Sequence, residues 1–369
     1  MVLAGVCLVW MAPLETARAK DLAPMYEETF DIASGGASLT RATRYGTVFS
    51  NPALLPFSGS FHRWLGSEFS MHINKESVDY AKTLLPGSTS NQSDSGDGST
   101  NSASSKFVDH VFSAPFLAGT QTSFAYLNAY GGIGAFSKFE VDLEAQEYSE
   151  SGMPAVTLRG KSYQGGTLSG AARIPFMPLS LGVTAKYLLA AEPMTSIDVA
   201  DPNALAQYQD PSALADLVEQ AAGYGFDVGA LVFLQGPRMD YRFALKVDDA
   251  GGTSFSGSDQ IKEFKQVTSA GAAVTFHTGK DAIHLAIDRR DMTNAYNTPP
   301  FKATRAGVKV ILRNWVGLAA GYYDGYPSMG AEIDLILLKV GVASYRREIS
   351  DAPGLTPRNI YVANFAAGF

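Results

Sequence analysis

The sequence is short of cysteine, of charged residues and of positive net charge. Its 369 residues include one cysteine and 18% charged residues, and its formal net charge is −7. Cys7 lies in a segment that we expect to be removed on export, so the mature chain offers no thiol for a disulfide or a metal. The negative charge disfavours a nucleic-acid partner, because proteins that bind nucleic acids present a basic face.

Long hydrophobic runs are also missing. No internal run reaches the ~18 apolar residues that a membrane-spanning helix needs, although 46% of the residues are hydrophobic and the chain holds 36 Gly, 21 Phe and 17 Tyr. A transmembrane β-barrel has this composition, because its outward apolar and inward polar side chains alternate and average out.

The N-terminus has the pattern of an export signal. An apolar segment, Val2 to Ala12, precedes Ala17-Arg18-Ala19, which matches a hydrophobic core followed by an A-x-A cleavage site. We therefore expect residues 1–19 to be a cleavable signal peptide. The usual basic stretch before the apolar segment is missing, which suggests a start codon further upstream.

From residue 61 to residue 369 the sequence alternates with a period of two, which indicates half-buried strands. The pattern is clearest at 178–190, where Leu179, Leu181 and Val183 face one side and Ser180 and Thr184 the other. It predicts fourteen strands, at 61–73, 121–130, 132–147, 156–174, 178–190, 224–234, 238–248, 266–277, 281–290, 303–312, 315–323, 328–335, 338–347 and 358–369.

The connections between these strands alternate between tight and mostly longer. The tight set lies at Gly131, Phe176-Met177, Gln235 to Pro237, Thr278 to Lys280, Arg313-Asn314 and Ile336-Leu337. The other set is 74–120, 148–155, 191–223, 249–265, 291–302, Asp324 to Pro327 and 348–357. Outer-membrane barrels have short periplasmic turns and longer extracellular loops. We therefore predict an all-β fold, a fourteen-stranded antiparallel transmembrane barrel.

One long loop carries a helix pattern. In loop 191–223, Asp210 and Pro211 resemble a helix start, the apolar residues Leu214, Leu217, Val218 and Ala221 share a face, and Gly223 resembles a stop. Two roles are open for such a helix: its apolar face packs on the rim of the barrel, or it binds a ligand.

The chain ends in a strand with one apolar face. Aromatic residues stand at Tyr361, Phe365 and the terminal Phe369. This ending resembles the C-terminal recognition signal of bacterial outer-membrane barrels. The resemblance implies insertion by the barrel-assembly machinery into the outer membrane of a Gram-negative-type bacterium, with outer-membrane lipid around the barrel.

The Gly- and Ala-rich segment 20–60 ends in Asn51-Pro52-Ala53-Leu54, just before the first strand. Such a segment resembles that of the FadL-type long-chain fatty-acid transporter superfamily, fourteen-stranded barrels in which this segment forms a hatch inside the lumen. The later half, at Gly223 to Gly229 and Gly321 to Pro327, is more similar to PorV and conjugation-associated barrels. The resemblance implies a hatch motif at Asn51, Pro52, Ala53 and Leu54.

Two further groups are assigned to the lumen, by side-chain parity within the strands and by position in the segment 20–60. Four apolar residues form a candidate hydrophobic path: Leu55, Phe57, Leu231 and Phe233. Charged and titratable residues of both signs form a candidate network that holds the hatch: Lys186, Asp227, Arg242, Lys246, His284, Asp288, Arg290, Arg305, Lys309, Glu332, Asp334 and Lys339.

Catalysis is not indicated, because no two of the five histidines stand at metal-ligand spacing and G-x-S-x-G is absent. The sequence therefore predicts no enzyme, cofactor or metal site. We expect passive uptake of small hydrophobic, fatty-acid-like molecules across the outer membrane. The alternative is a non-transporting scaffold barrel that anchors or receives an exported protein.

Overall fold

The structure is a computed structural model and describes residues 25–41, 46–57, 64–78, 115–146, 155–198, 219–258, 261–335, 337–348 and 357–368. The expected signal peptide, the terminal Phe369, residues 79–114 and most of the expected loop helix lie outside the described residues.

Sixteen strands occur in the described residues, in two sizes. Two are short, β6 (Met194–Asp198) and β9 (Phe255–Ser256). The others are β1 (Trp64–Asn74), β2 (Phe116–Leu127), β3 (Gly131–Gln146), β4 (Ala155–Arg173), β5 (Leu179–Ala191), β7 (Ala221–Gln235), β8 (Met239–Asp248), β10 (Val267–Thr278), β11 (Asp281–Arg289), β12 (Thr304–Leu312), β13 (Val316–Tyr323), β14 (Tyr326–Asp334), β15 (Leu338–Glu348) and β16 (Pro357–Gly368).

Fourteen of these strands form one closed antiparallel barrel. Each long strand pairs with the next long strand along the chain, and β1 pairs with β16 to close the ring, with Phe69 opposite Phe365. The two short strands extend the wall, since β6 pairs with the start of β4 and β9 with the start of β7. The predicted fourteen-stranded antiparallel barrel is confirmed.

The two faces of the wall differ because successive side chains in a strand point to opposite sides. In β16, Tyr361 and Phe365 are 44% and 48% exposed, whereas the intervening Val362 is buried. In β5, Val183 is 57% exposed and Thr184 only 3%. The outward face is thus an apolar belt, and the inward face carries most of the buried polar side chains.

Tight turns lie at one end of the barrel and the longer connections at the other, as the sequence predicts. Two details differ. The first tight turn lies at 128–130, where the Asn128 side chain accepts from the N–H groups of Tyr130 and Gly131, so Gly131 starts β3. The connection at Asp324-Gly325 is also a two-residue turn, because both residues adopt positive φ.

The predicted helix in loop 191–223 is wrong over its last turn. Ala221 and Gly223, expected on the helix face and at its stop, belong to β7. Ala221 lies opposite Ala190 and Gly223 opposite Leu188 on β5, so pairing with a neighbouring strand overrides the local helix pattern. The rest of the predicted helix lies outside the described residues. A short loop helix, α2 (Pro300–Ala303), occurs in a different loop.

The described residues 25–41 and 46–57, which we call the N-terminal segment, pack against the inward face. The described part contains helix α1 (Thr29–Ala33) and two 3-10 helices, Gly46–Val48 and Pro52–Phe57. Helix α1 contacts β13 to β16, and the second 3-10 helix contacts β4, β5 and β7 on the opposite side of the ring. None of the helices in the described residues is long and apolar enough to span a bilayer.

Candidate functional site

The Asn51-Pro52-Ala53-Leu54 motif forms a buried corner of the N-terminal segment. Asn51 Nδ2 donates to the carbonyl of Leu39 at 3.1 Å, and Asn51 Oδ1 accepts from the N–H of Ala53 at 3.1 Å. Pro52 begins the 3-10 helix, where a missing N–H costs nothing. Asn51, Ala53 and Leu54 have no exposed surface. The motif therefore ties two turns of the segment together.

Two glycines in the barrel wall leave the space that this corner occupies. Gly182 on β5 and Gly229 on β7 are cross-strand partners. A Cβ at Gly182 would lie 2.6 Å from the carbonyl carbon of Pro52, and one at Gly229 would lie 2.0 Å from Asn51 Oδ1. We call this glycine pair the β5–β7 notch, because no larger residue fits there without moving the corner.

A second notch receives the other end of the segment. Gly307 on β12 and Gly321 on β13 are also cross-strand partners. A Cβ at Gly307 would lie 2.1 Å from the carbonyl oxygen of Ser34, and one at Gly321 would lie 2.3 Å from the nitrogen of Gly35. The N–H of Gly35 donates to Ser328 Oγ on the wall at 3.1 Å. We call this pair the β12–β13 notch.

Buried ion pairs lie beside the β12–β13 notch. Lys309 on β12 pairs with Asp31, and Arg305 on the same strand pairs with Glu27. The hydroxyl of Tyr323 donates to Glu27 Oε2 at 2.5 Å. All four charged side chains are at most 10% exposed. Removing one partner of such a pair would leave an uncompensated buried charge, which is costly.

Three more residues of the predicted network reach the backbone of the N-terminal segment. Asp288 accepts from the N–H of Leu39 at 3.0 Å, Arg290 donates to the carbonyl of Gly36 at 3.2 Å, and Arg242 donates to the carbonyl of Thr40 at 3.3 Å.

A separate cluster of charges joins β5, β7 and β8. Lys186 Nζ lies 2.6 Å from Asp227 Oδ1 and 2.9 Å from Asp249 Oδ1. Lys246 Nζ lies 2.5 Å from Asp248 Oδ1 and 3.6 Å from Asp227 Oδ2. Three carboxylates thus surround two ammonium groups. These contacts join neighbouring strands of the barrel to each other and do not involve the N-terminal segment.

The remaining predicted charges also make contacts within the wall. Lys339 Nζ lies 3.5 Å from Glu332 Oε1 and 3.8 Å from Asp334 Oδ2. His284 Nδ1 lies 2.7 Å from Thr275 Oγ1. The predicted set is therefore divided between residues that contact the N-terminal segment and residues that bind each other.

The four residues of the predicted hydrophobic path lie in separate apolar contacts. Phe57 and Phe233 pack edge to face with ring centroids 4.9 Å apart. Leu55 and Leu231 are fully buried in different apolar clusters. None of these four described residues lines the main cavity. They pack the second 3-10 helix against the wall.

We call one interior space of the barrel the main cavity; it has a volume of about 170 Å³. It is lined by the N-terminal segment, by inward residues of the strands β3, β4, β5, β7, β8 and β10, and by the loop residues Asp249, Phe264, Lys265, Arg290 and Tyr296. Part of the lining is an aromatic and aliphatic cluster, which includes Tyr26, Phe49, Phe136, Tyr163, Leu188 and Phe264. Another part is charged and includes the Lys186–Asp227 pair.

Two adjacent carboxyl groups of the cavity lining differ in proton affinity. Burial alone would raise the pKa of Glu27, but the cations Arg305 and Arg290 beside it hold that pKa below its usual value. Burial, together with the charges of Asp31 and Glu68, raises the pKa of Glu28 to about 8. Glu28 is therefore largely protonated at neutral pH, whereas Glu27 is ionised.

The sequence predictions missed these residues of the N-terminal segment. Tyr26, Glu27, Glu28 and Asp31 carry no strand or helix periodicity. The signal that was present is the concentration of three carboxylates within five positions of an otherwise Gly- and Ala-rich segment. Such a concentration needs basic partners, and the inward-facing Arg305 and Lys309 were already predicted.

A groove on the outward face lies against the same wall as the cavity. It is lined by exposed apolar residues, among them Phe124, Leu168 and Tyr224. Thr167 on β4 and Lys186 on β5 line both the groove and the cavity. The two spaces are thus separated by these strands alone.

Comparison with known proteins gives the fold. No protein-family model matches the chain, and no curated protein matches it. The solved structures that resemble it include the toluene transporter TbuX of Ralstonia pickettii, at 12% identity and a TM-score of 0.52, covering 93% of this chain and 97% of that one. The toluene transporter TodX of Pseudomonas putida is similar at 12% identity and a TM-score of 0.52, covering 95% of this chain and 98% of that one. At this identity the likeness establishes a shared barrel fold.

Proposed function

We propose that the protein is an outer-membrane barrel for the passive uptake of small hydrophobic molecules, and that the main cavity is its binding site. The cavity carries this proposal, because it is an interior space with a partly aromatic lining, formed by the N-terminal segment, the barrel wall and the longer loops. Its volume of about 170 Å³ is comparable to the ~150 Å³ apolar cavities that bind benzene in another protein.

The rest of the molecule supports a membrane location. The outward apolar belt is what a barrel presents to lipid, and the inward polar face is what it keeps from lipid. Two toluene transporters share the fold. We further propose that a signal peptide at residues 1–19 exports the chain, that the barrel-assembly machinery recognises the terminal strand, and that the N-terminal segment is a hatch.

The cavity also bears on the size of the ligand. A fatty-acid-like ligand was expected, and the volume suits a molecule of benzene's size or a short acyl chain better than a long one. Passage down a concentration gradient needs no cofactor. The wall at Thr167 and Lys186, where the cavity and the outward groove share lining residues, offers an exit from the cavity.

A cavity-filling variant tests the proposal. Leu188 lines the cavity and is 1% exposed, so Leu188→Trp should fill it. Uptake of radiolabelled toluene should fall to the level of a deletion strain. Leu318→Trp, the same change at a 48% exposed outward position, should leave uptake unchanged. Normal uptake through Leu188→Trp at normal surface levels would refute the cavity as the route.

The second candidate is a scaffold barrel that receives an exported protein, a role that fits the PorV-like resemblance of the later half. One observation favours it: buried ion pairs and two glycine notches hold the N-terminal segment on opposite walls. A fixed segment blocks passage along the lumen. If toluene uptake is unaffected by both tryptophan variants and equal in the deletion strain, the scaffold becomes the better explanation.

A further inference from the structure

The lining of the main cavity is unbalanced in charge. Among the described residues, six carboxylates line it: Glu27, Glu28, Asp31, Asp227, Asp248 and Asp249. Four basic side chains do so: Lys186, Lys246, Lys265 and Arg290. A cavity that served only hydrocarbons would have no need of charged side chains, because burying them costs free energy.

The basic groups of the lining are already engaged. Lys186 and Lys246 are shared among three carboxylates, as described above. Lys265 Nζ donates to the carbonyl of Ala295 at 3.1 Å, on the exposed side of the cavity. Arg290 donates to the carbonyl of Gly36 and lies beside the ionised Glu27, although no partner within the described residues reaches its Nε atom. Three of the four lining cations are thus held by other groups, and the fourth already faces the carboxylate of Glu27.

Among the residues that the structure describes, one carboxyl group of the lining has an oxygen atom without a hydrogen-bond partner. Glu28 is 2% exposed, and within the described residues no hydrogen-bond partner reaches its Oε2 atom. A buried polar atom without a partner is costly, and in native proteins it calls for an explanation. Because Glu28 lines the cavity, a bound molecule that donates a hydrogen bond would satisfy it.

The aromatic part of the lining suits the same kind of molecule. Tyr26 and Phe49 lie 4.5 Å apart by ring centroids, and Phe49 and Phe136 lie 5.7 Å apart. Aromatic faces attract cations as well as hydrocarbon. Aromatic rings beside the unpartnered Glu28 oxygen form a cation-binding arrangement.

We propose that the cavity takes a small amphipathic amine, with its ammonium group bound by Glu28 and its hydrocarbon part against Tyr26, Phe49 and Phe136. This inference rests on the proposed function, because it names the chemical class of the molecule that the cavity accepts. It also predicts that a carboxylate head group is disfavoured.

The proposal has a pH signature. Glu28 is faced by Tyr26 and Asp31 of its own segment and by wall residues of both signs, namely Glu68, Lys309, Glu332 and Lys339. Burial and the neighbouring carboxylates raise its pKa to about 8. An ammonium ion favours the ionised form, so binding releases a proton. Affinity for the amine should therefore rise between about pH 6 and pH 8.

Three probes of one size test the proposal: benzylamine, benzyl alcohol and benzoate, titrated by calorimetry into the purified full-length mature protein in detergent. At pH 8 we expect benzylamine to bind at least ~10-fold more tightly than benzoate, as a charge-assisted hydrogen bond to Glu28 requires. The affinity of benzylamine should fall from pH 8 to pH 6, while that of benzyl alcohol stays constant.

Two variants locate the effect. Glu28→Gln should lower the affinity for benzylamine to that for benzyl alcohol and leave benzyl alcohol binding unchanged. Glu263→Gln, the same change at an exposed loop residue outside the lining, should change nothing. If Glu28→Gln does not fold, Asp248→Asn removes another lining carboxylate and should also weaken benzylamine selectively.

The outcomes separate the two proposals. If benzyl alcohol binds and benzylamine and benzoate bind equally well, the amine proposal is wrong and the hydrophobic cavity stands. If benzylamine is preferred in Glu28→Gln and in Asp248→Asn as strongly as in the parent protein, the assignment of the ammonium group to these carboxylates is wrong. If no probe binds, both the amine proposal and the proposed function fail.

Discussion

The two ends of the N-terminal segment are held by different forces. Near helix α1, Asp31 and Glu27 form buried ion pairs with β12. Near the second 3-10 helix, Leu54 and Phe57 pack among apolar residues of the wall. Each end also fits a notch made by two paired glycines. The notches determine where the segment lies. The ion pairs make the stability of one end sensitive to pH, and the apolar packing makes the other end insensitive to it.

The largest expected effect is at the ionic end. Lys309→Met should lower the free energy of unfolding by ~3–5 kcal/mol, because Asp31 is left as an unpaired buried charge. The double variant with Asp31→Asn should recover most of the loss. Guanidinium titration of the purified barrel in detergent measures both. A double variant as unstable as the single one would show that the pair itself, and not the orphaned charge, provides the stability.

Acidity should affect the ionic end alone. Glu28 keeps its proton in the folded chain up to about pH 8, against an ordinary value of 4.5. The folded chain therefore binds more protons than the unfolded chain within that window, and the free energy of unfolding falls as the pH rises through it. Glu28→Gln removes this loss and should stabilise the protein by about 2–4 kcal/mol at pH 8. The prediction is contradicted if Glu28→Gln stabilises the protein no more at pH 8 than at pH 4.5.

The notches should be sensitive at both ends. Gly307→Ala and Gly182→Ala place a Cβ 2.1 Å and 2.6 Å from backbone atoms of the segment, which should cost about 1–3 kcal/mol each. Gly170→Ala is the matched control, because its Cβ would approach no atom closer than 3.9 Å. The extent of labelling of a cysteine introduced at Ser34 or Ser50 reports which end has moved. Equal labelling in all three variants would refute the notches.

The smallest effect is expected at the apolar end. Asn51→Ala removes two hydrogen bonds and should cost about 1–2 kcal/mol. Since Asn51 does not titrate, the cost should be the same at pH 5 and pH 8. The denaturation midpoint at the two pH values measures it, and a cost that changed with pH would show that the two ends are coupled.

Most of the strands of the wall could be predicted from the sequence. A strand with one apolar and one polar environment has side chains whose polarity alternates from each residue to the next. The parity of Val183 and Thr184 gave the correct faces in this way. The last turn of the predicted loop helix failed, because Ala221 and Gly223 fit a helix pattern locally while the partner strand β5 decides their conformation. Local sequence contains no information about that partner.

The contacts of the candidate site were less predictable for the same reason. Inward-facing charges such as Arg305 and Lys309 follow from parity, but their partners Glu27 and Asp31 lie in a segment without periodicity. The glycine notches have no meaning in the linear sequence. Gly182 and Gly229 are 47 positions apart, and only the register of β5 and β7 places them opposite each other.

The paired notches also have a consequence for the order of folding. Neither notch exists until its two strands have paired in register, so the N-terminal segment has nowhere to dock until strands from the middle and later parts of the chain have come together. Contacts across such long sequence separations form slowly. We therefore expect the N-terminal segment to become protected from proteolysis only after β12 and β13 have assembled, which makes its docking a late checkpoint of a complete barrel.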